Sequence, residues 1–398
     1  MRVGVVLGDF VPQDGGGFTF VSEVVKALAL RCENDPDLNF IFFANPRAAE
    51  YLKALCTLNY EVVSVRPDTS WARTMASLKL WIPLFGEVWK RKSALENSLV
   101  EHRISFVWFA GGSGEVLDIP YAATVWDVQH RTHPWFPEVS ADSVWNGREV
   151  LFSTYLQRAS IVICGTRIGA QQLTHFYQVE PERFAILPHP TPQFAIDNAG
   201  RLAGKLPDPI NASSRYFIYP AQYWPHKNHV GLIRAFAEFN VGLEQEFKLV
   251  FVGSDKGNKE FLEELVAEYD LRDRVCFLGF VDREQLVSLY QNAVALVYPS
   301  FSGPENLPPL EAFALECPVV YSDFPGAREQ LGDAALYFDP CSFQTILLSL
   351  RQIASDSALR TRLVQSGHER AMAWRCSDFV EGVVGAISKF KPIRDAWR

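Results

Sequence analysis

The chain has 398 residues, 48% of them hydrophobic and 21% charged, a soluble globular composition too long for one ordinary core, so two lobes are expected. Basic residues number 38 against 46 acidic, and the formal net charge of −8 excludes a general nucleic-acid binder, which needs a broad positive surface; any phosphate site must be local. Seven scattered cysteines without Cys-x-x-Cys spacing exclude a disulfide scaffold and read as reduced core thiols.

Residues 1–8, MRVGVVLG, begin a strand at once and lack the basic start and long apolar run of a secretory leader, so a cytoplasmic location is expected. No apolar stretch approaches the roughly 20 residues that span a bilayer. Gly15-Gly16-Gly17 follows this strand and precedes a helical pattern, Phe20 to Arg31. Backbone free of side chains lets a phosphate or sugar approach there, although a bare triple glycine is also a flexible turn. Further strands are read at Leu38 to Phe43, Tyr60 to Val65, Ser105 to Phe109, Ala122 to Val125 and Ile161 to Cys164, with a helix at Ser143 to Ala159. Such alternation means a parallel sheet.

Between them, Trp71 to Lys92 carries Trp81, Ile82, Leu84, Phe85 and Trp89 beside Lys90-Arg91-Lys92. Aromatics next to cations suit a membrane surface or a lipid-linked acceptor, hence peripheral contact with the inner face of a membrane; Pro83 breaks a continuous helix, and packing against the lobe is an equal reading. The run Thr124 to Arg131 follows a strand and offers Asp127 and His130 to orient an acceptor hydroxyl or take its proton, with simple cleft lining as the alternative.

The polar segment Ala195 to Ser214 reads as a linker, after which strands restart at Tyr216 to Tyr219, Lys248 to Val252, Val275 to Leu278, Ala295 to Tyr298 and Pro318 to Tyr321. Helices at Leu232 to Asn240, Glu260 to Tyr269 and Arg283 to Gln291 separate them. Lys227, in the run Ala221 to His229 between a strand and a helix, is the best cation candidate for a diphosphate. Gly279-Phe280-Val281-Asp282 is a strand-to-helix turn that Asp282 can cap.

Val297 to Tyr321, VYPSFSGPENLPPLEAFALECPVVY, places a helix N-terminus at the C-terminal edge of a parallel sheet, where amides near Asn306 and Leu307 favour a phosphate. Glu311, expected in the first turn, is suited to accept two ribose hydroxyl hydrogen bonds; the alternative is a carboxylate answering the helix dipole. Histidines are dispersed, and no metal-binding constellation is visible.

That run, with Ser322-Asp323 and Gly332 to Pro340, resembles the C-terminal domain of glycosyltransferase family 4, the group 1 enzymes that use nucleotide sugars. The resemblance implies an α/β protein of the GT-B fold, two Rossmann-like parallel-sheet domains facing across a cleft. It divides the chain into an acceptor-side domain (1–194), a linker (195–214), a donor-binding domain (215–377) and a final helix (378–398) crossing back to the first domain. In the family's Glu-x7-Glu motif the second Glu, which meets the ribose, is Glu311; the first, which meets the donor sugar, falls on Gly303. Glu305, two residues on, has a carboxylate able to swing toward the same sugar hydroxyls. The family's Arg-and-Lys pair for the diphosphate becomes Gln222 and Lys227, with Arg328, Arg167 or a helix dipole left to compensate.

The resemblance also implies that Gly16 and Gly17 contact the donor across the cleft. Phe280 and Val281 form the base-binding corner, and Trp126 takes the place of a family histidine beside Asp127. Activity is expected to be retaining transfer of a hexose to a hydroxyl of a glycan or lipid-linked glycan, without metal or resident cofactor, in surface-polysaccharide assembly. The departing diphosphate would help to deprotonate the acceptor, so no enzyme nucleophile is needed. The alternatives are a nucleotide-sugar epimerase of the same architecture and a non-catalytic nucleotide-sugar-binding protein, the latter motivated by Gly303, Gln222 and Trp126.

Overall fold

The computed structural model describes residues 1–8, 15–32, 37–55, 60–66, 92–201, 204–241 and 246–397. The aromatic and basic stretch read as a membrane or lipid-acceptor surface lies outside them, apart from Lys92. Among the described residues no helix is long and apolar enough to cross a membrane.

Strands β1 (Arg2–Val6), β2 (Asn39–Ala44), β3 (Val62–Ser64), β4 (Phe106–Phe109), β5 (Tyr121–Thr124), β6 (Ile161–Cys164) and β7 (Phe184–Ile186) form one sheet in the order β3-β2-β1-β4-β5-β6-β7. Strands β8 (Arg215–Pro220), β9 (Phe247–Val252), β10 (Val275–Phe277), β11 (Ala295–Tyr298), β12 (Val319–Ser322) and β13 (Ala335–Phe338) form the other, in the order β10-β9-β8-β11-β12-β13. All pairings are parallel. Central strands such as β4 and β11 are buried at every residue, because helices cover both faces; this is why they read as unbroken apolar runs.

In each sheet the chain moves outward from its first strand and then returns to that strand's other side, at β1/β4 and at β8/β11. Loops leaving the carboxyl ends of these strand pairs diverge and open a crevice. Both crevices face each other, and the site lies between them.

The last helix, Cys376–Arg394, leaves the second lobe and buries Phe379, Val380, Val383, Val384 and Ile387 in the first lobe's core. Each such side chain contributes about 1.5–3 kcal/mol by burial. Arg31 Nε donates to Glu381 across 2.5 Å, and Arg394 Nε donates to the Ser105 carbonyl across 3.0 Å. Leu307, at the start of a second-lobe helix, packs into the same core.

Two strands escaped the sequence reading. Strand β7 is a three-residue edge strand with no fully buried residue, too short and too polar in setting for a period to show. Strand β13 follows a glycine turn closely and has only its end residues buried. The segment read as linker begins in a short helix, Gln193–Asp197, whose Phe194 and Ala195 are buried in the second lobe's core.

Candidate active site

A cavity of about 440 Å³ lies between the lobes. From the first lobe come Gly16, Gly17, Trp126, Asp127, Gln129 and His189; from the second come Gln222, His226, Lys227, Tyr298, Gly303 and the 304–308 loop. A second cavity of about 250 Å³ adjoins it, lined by Phe280, Val281, Arg283 and Glu311. Gly16, Gln222 and Leu307 border both, so the two form one elongated cleft.

Gly16 opens a 17-residue helix, and its N-terminal amides and positive dipole end face the cleft. A side chain at Gly17 would press on the Trp126 ring, 3.2 Å from an added Cβ, which explains the glycine there. Opposite, Lys227 Nζ donates to the Tyr298 hydroxyl across 2.9 Å and to Asn306 Oδ1 across 3.2 Å. Burial lowers its pKa to about 8, against the opposing pull of Asp127 and Glu138. A diphosphate in the cleft would therefore meet an ammonium held in place with no carboxylate bonded to it.

Glu311 is the fifth helical residue, one turn in, and not in the first turn. Its Oε2 accepts from the Tyr290 hydroxyl at 2.8 Å, and burial raises its pKa to about 7. Main-chain donation at this helix start is narrower than expected. The Asn306 amide is taken by Gln330 Oε1 at 3.1 Å, and Pro308 and Pro309 have no N–H, which leaves the Leu307 amide at the mouth. The Asn306 side chain does not cap the helix; it joins Lys227, Tyr298 and Tyr321 in one network.

Gly303 has φ of 125°, a left-handed conformation that glycine tolerates and glutamate does not, so this loop is not a family loop with one side chain removed. Glu305 does not reach for a sugar. Its Oε1 accepts from the His189 amide of the other lobe at 2.6 Å, and the carboxyl fits against Gly165, where even a methyl group would collide. Burial, with Glu329 adding, raises its pKa to about 8.

This seat predicts a pH effect on stability. The folded pKa of Glu305 lies above the ordinary value of 4.5, so its neutral form stabilises the fold at low pH, and that contribution is lost as pH rises through about 8. The melting temperature should fall by about 5 °C between pH 5 and 8.5, and Glu305→Gln, which stays neutral, should flatten the curve in calorimetric scans.

Other expected residues are placed as follows. Asp127 borders the cleft, but its carboxylate accepts from Arg148 Nη2 at 2.8 Å and from the Gln129 amide at 2.8 Å. Burial pushes its pKa up, yet Arg148 and that amide outweigh burial and hold it below the usual range. His130 is fully buried behind the cleft wall, with Nε2 at 2.9 Å from Glu149 and 2.7 Å from the Tyr177 hydroxyl. Burial first, then Arg148, lowers its pKa to about 4, so the catalytic role expected for it gives way to a structural one. Gln222 accepts from Trp224 Nε1 at 2.9 Å while lining both cavities. Neither Arg328, paired with Asp323, nor Arg167 borders the cleft, so neither replaces the missing guanidinium. Asp282 caps the helix Arg283–Asn292 in a capping box, behind the Phe280-Val281 corner.

Sequence reasoning missed His189, His226 and Gln129. His189 follows the unrecognised β7, so its place at a strand's carboxyl end was hidden. His226 was visible only as the neighbour of Lys227, and Gln129, which donates to Ser302 Oγ across 2.7 Å, was visible only as a member of the run Asp127 to His130.

Two Rossmann-like lobes with facing strand ends and a cleft of this kind define the GT-B class. Residues 207–370, most of the second lobe, match the family described as glycosyl transferases group 1. Among curated relatives, the chain is 34% identical over 141 residues to the O-antigen chain mannosyltransferase RfbU of Salmonella typhimurium, covering 35% of this chain and 39% of that protein. It is 29% identical over 241 residues to the D-inositol 3-phosphate glycosyltransferase of Acidothermus cellulolyticus, covering 57% and 52%. The aligned stretches thus span between two fifths and about half of those relatives.

Solved structures show the same fold over the whole chain. WaaG, a glycosyltransferase involved in lipopolysaccharide biosynthesis, superposes with a TM-score of 0.67 at 18% identity, covering 96% of this chain and 98% of that one. HepE of Anabaena, in complex with UDP and glucose, gives 0.66 at 15% identity, covering 97% and 99%.

Proposed function

We propose that this protein is a retaining glycosyltransferase that moves a hexose from a nucleoside-diphosphate sugar to a hydroxyl of a glycan or lipid-linked glycan, in surface-polysaccharide assembly. The observation that carries the reading is the convergence, on one elongated cleft, of a glycine-fronted helix N-terminus, a buried lysine and a buried carboxylate. The glycine helix and Lys227 suit a diphosphate, and Glu311 suits a ribose. Breaking the bond between the anomeric carbon and phosphate builds negative charge on the leaving diphosphate, and preorganised donors aimed at that charge lower the barrier most. The mannosyltransferase relatives favour a hexose donor and the O-antigen context favours a glycan acceptor.

The test is a panel of nucleotide sugars with free nucleoside diphosphate followed with and without acceptor glycans, in buffer and in excess EDTA. Acceptor-dependent release that survives EDTA is expected. Sugar isomerisation without acceptor would instead mark an epimerase, and binding without turnover a non-catalytic protein.

A further inference from the structure

Glycosyl transfer needs somewhere for the proton of the attacking hydroxyl to go, and among the described residues three titratable side chains border the main cavity besides Lys227, Glu305 and Tyr298, whose hydroxyl bonds Lys227 and Asn306: Asp127, His189 and His226. Asp127 is committed to Arg148 and to the Gln129 amide. The His189 ring lies against Phe20, centroids 4.7 Å apart; its Nδ1 is buried with no partner and its Nε2 faces the Glu305 carboxyl at 3.9 Å, so neither nitrogen is held ready for an acceptor hydroxyl. His226 differs. Its Nδ1 and its backbone amide both bond to Oε1 of Glu138, the amide at 3.0 Å, and Glu138 belongs to the opposite lobe, on the short helix Pro137–Ser140.

A carboxylate on Nδ1 fixes the tautomer with its proton there and leaves the Nε2 lone pair available, the arrangement by which acid–histidine pairs make a base. Among the described residues His226 Nε2 has no hydrogen-bond partner, and it is not among the buried unpaired atoms, so it is open to the cavity that the side chain borders. Phe136, which precedes the Glu138 helix, packs on the His226 ring at 6.0 Å and on Phe301 at 5.8 Å, and so buttresses the pair from both lobes.

We propose that His226, oriented by Glu138 across the interlobe seam, accepts the proton of the attacking acceptor hydroxyl. This rests on the transferase reading above and adds a residue to it. In the step, the acceptor O–H bond breaks and its proton passes to Nε2. The acceptor oxygen bonds to the anomeric carbon, and the bond from that carbon to the diphosphate oxygen breaks, its electron pair leaving with the diphosphate beside Lys227. The imidazolium then returns its proton to the released diphosphate or to water. His226 and Lys227 border the same cavity, so the base and the leaving-group cation serve one site. The base is complete only when the lobes meet, since Glu138 and His226 come from different halves.

Burial lowers the His226 pKa, Glu138 and Asp127 pull it up and Lys227 pushes it down, so the imidazole is neutral at pH 7. The experiment compares the parent with His226→Gln and Glu138→Gln, measuring donor Kd by calorimetry and kcat at saturating donor from pH 5 to 8. His226→Gln should keep donor Kd within about threefold and lose about two to four decades of kcat, together with the acidic limb of the kcat profile. Glu138→Gln should lose less and move that limb to lower pH, a shift that a merely structural contact would not produce.

A parent that transfers sugar while His226→Gln keeps parental kcat overturns this inference alone. So does a Glu138→Gln limb that stays in place. A parent that releases no nucleoside diphosphate with any acceptor overturns the transferase reading and this step with it.

Discussion

Replacing Glu311 with alanine should weaken donor binding by about two to three decades while the fold survives. Two hydroxyl hydrogen bonds to one carboxylate contribute about 1.5–3 kcal/mol each when the charge is real, and the carboxylate here is buried where water cannot substitute for the ribose. The loss leaves the Tyr290 hydroxyl without its acceptor, a cost of about 1–3 kcal/mol, so melting temperature should be recorded alongside affinity. The pH dependence is a second signature. Because burial holds the Glu311 pKa at about 7, the accepting carboxylate forms only as pH rises through that value, and donor affinity should climb between pH 6 and 8. Glu311→Gln should bind weakly and show no such climb. Calorimetric titration with nucleoside diphosphate reads both; an unchanged Kd for Glu311→Ala would mean that the ribose sits elsewhere.

Lys227→Ala should act on turnover more than on affinity, lowering kcat by about two to three decades and raising donor Kd by less than about tenfold. The reasoning is that charge on the diphosphate grows as the glycosidic bond breaks, so a cation beside it does more for the transition state than for the ground state. Gln222 offers only neutral hydrogen bonds, and Arg283 borders the second cavity beside Glu311, so among the described residues Lys227 is the lysine or arginine that borders the main cavity. Its pKa of about 8 adds a check: kcat of the parent should decline as pH rises above that value and the ammonium is lost. Rapid-quench turnover at saturating donor measures the effect, and a Lys227→Ala variant with parental kcat would remove Lys227 from the chemistry.

Much of the fold was legible because buried parallel strands announce themselves. Phe106-Val-Trp-Phe and Ala295-Leu-Val-Tyr have no polar position to blur the pattern, whereas Phe184-Ala-Ile is an edge strand with a mixed setting and left no trace. In the site, Lys227 and Glu311 were readable from their place after a strand of the second sheet, and the Phe280-Val281 corner through the family resemblance; all border the cleft. Residues whose role depends on the other lobe were not. Glu305 looked like a loop carboxylate until the His189 amide and Gly165 closed around it, and Glu138 had no motif at all, because its partner lies 88 positions away. His130 misled for the converse reason: a polar residue in a turn six positions beyond a strand end points as readily into the lobe as out of it, and here Glu149 and Tyr177 claim it.

The closing helix Cys376–Arg394 has a practical consequence for recombination between proteins of this kind. Its apolar stripe of Phe379, Val383 and Ile387 answers to the first half of the chain although it is encoded at the far end. A chimera that swaps donor specificity by grafting a foreign second half should therefore be cut twice, once near 207 and again just before Cys376, so that the recipient keeps its own tail. A single crossover would pair that stripe with a surface it did not evolve against, and the hybrid would fail at the splice and not at the chemistry.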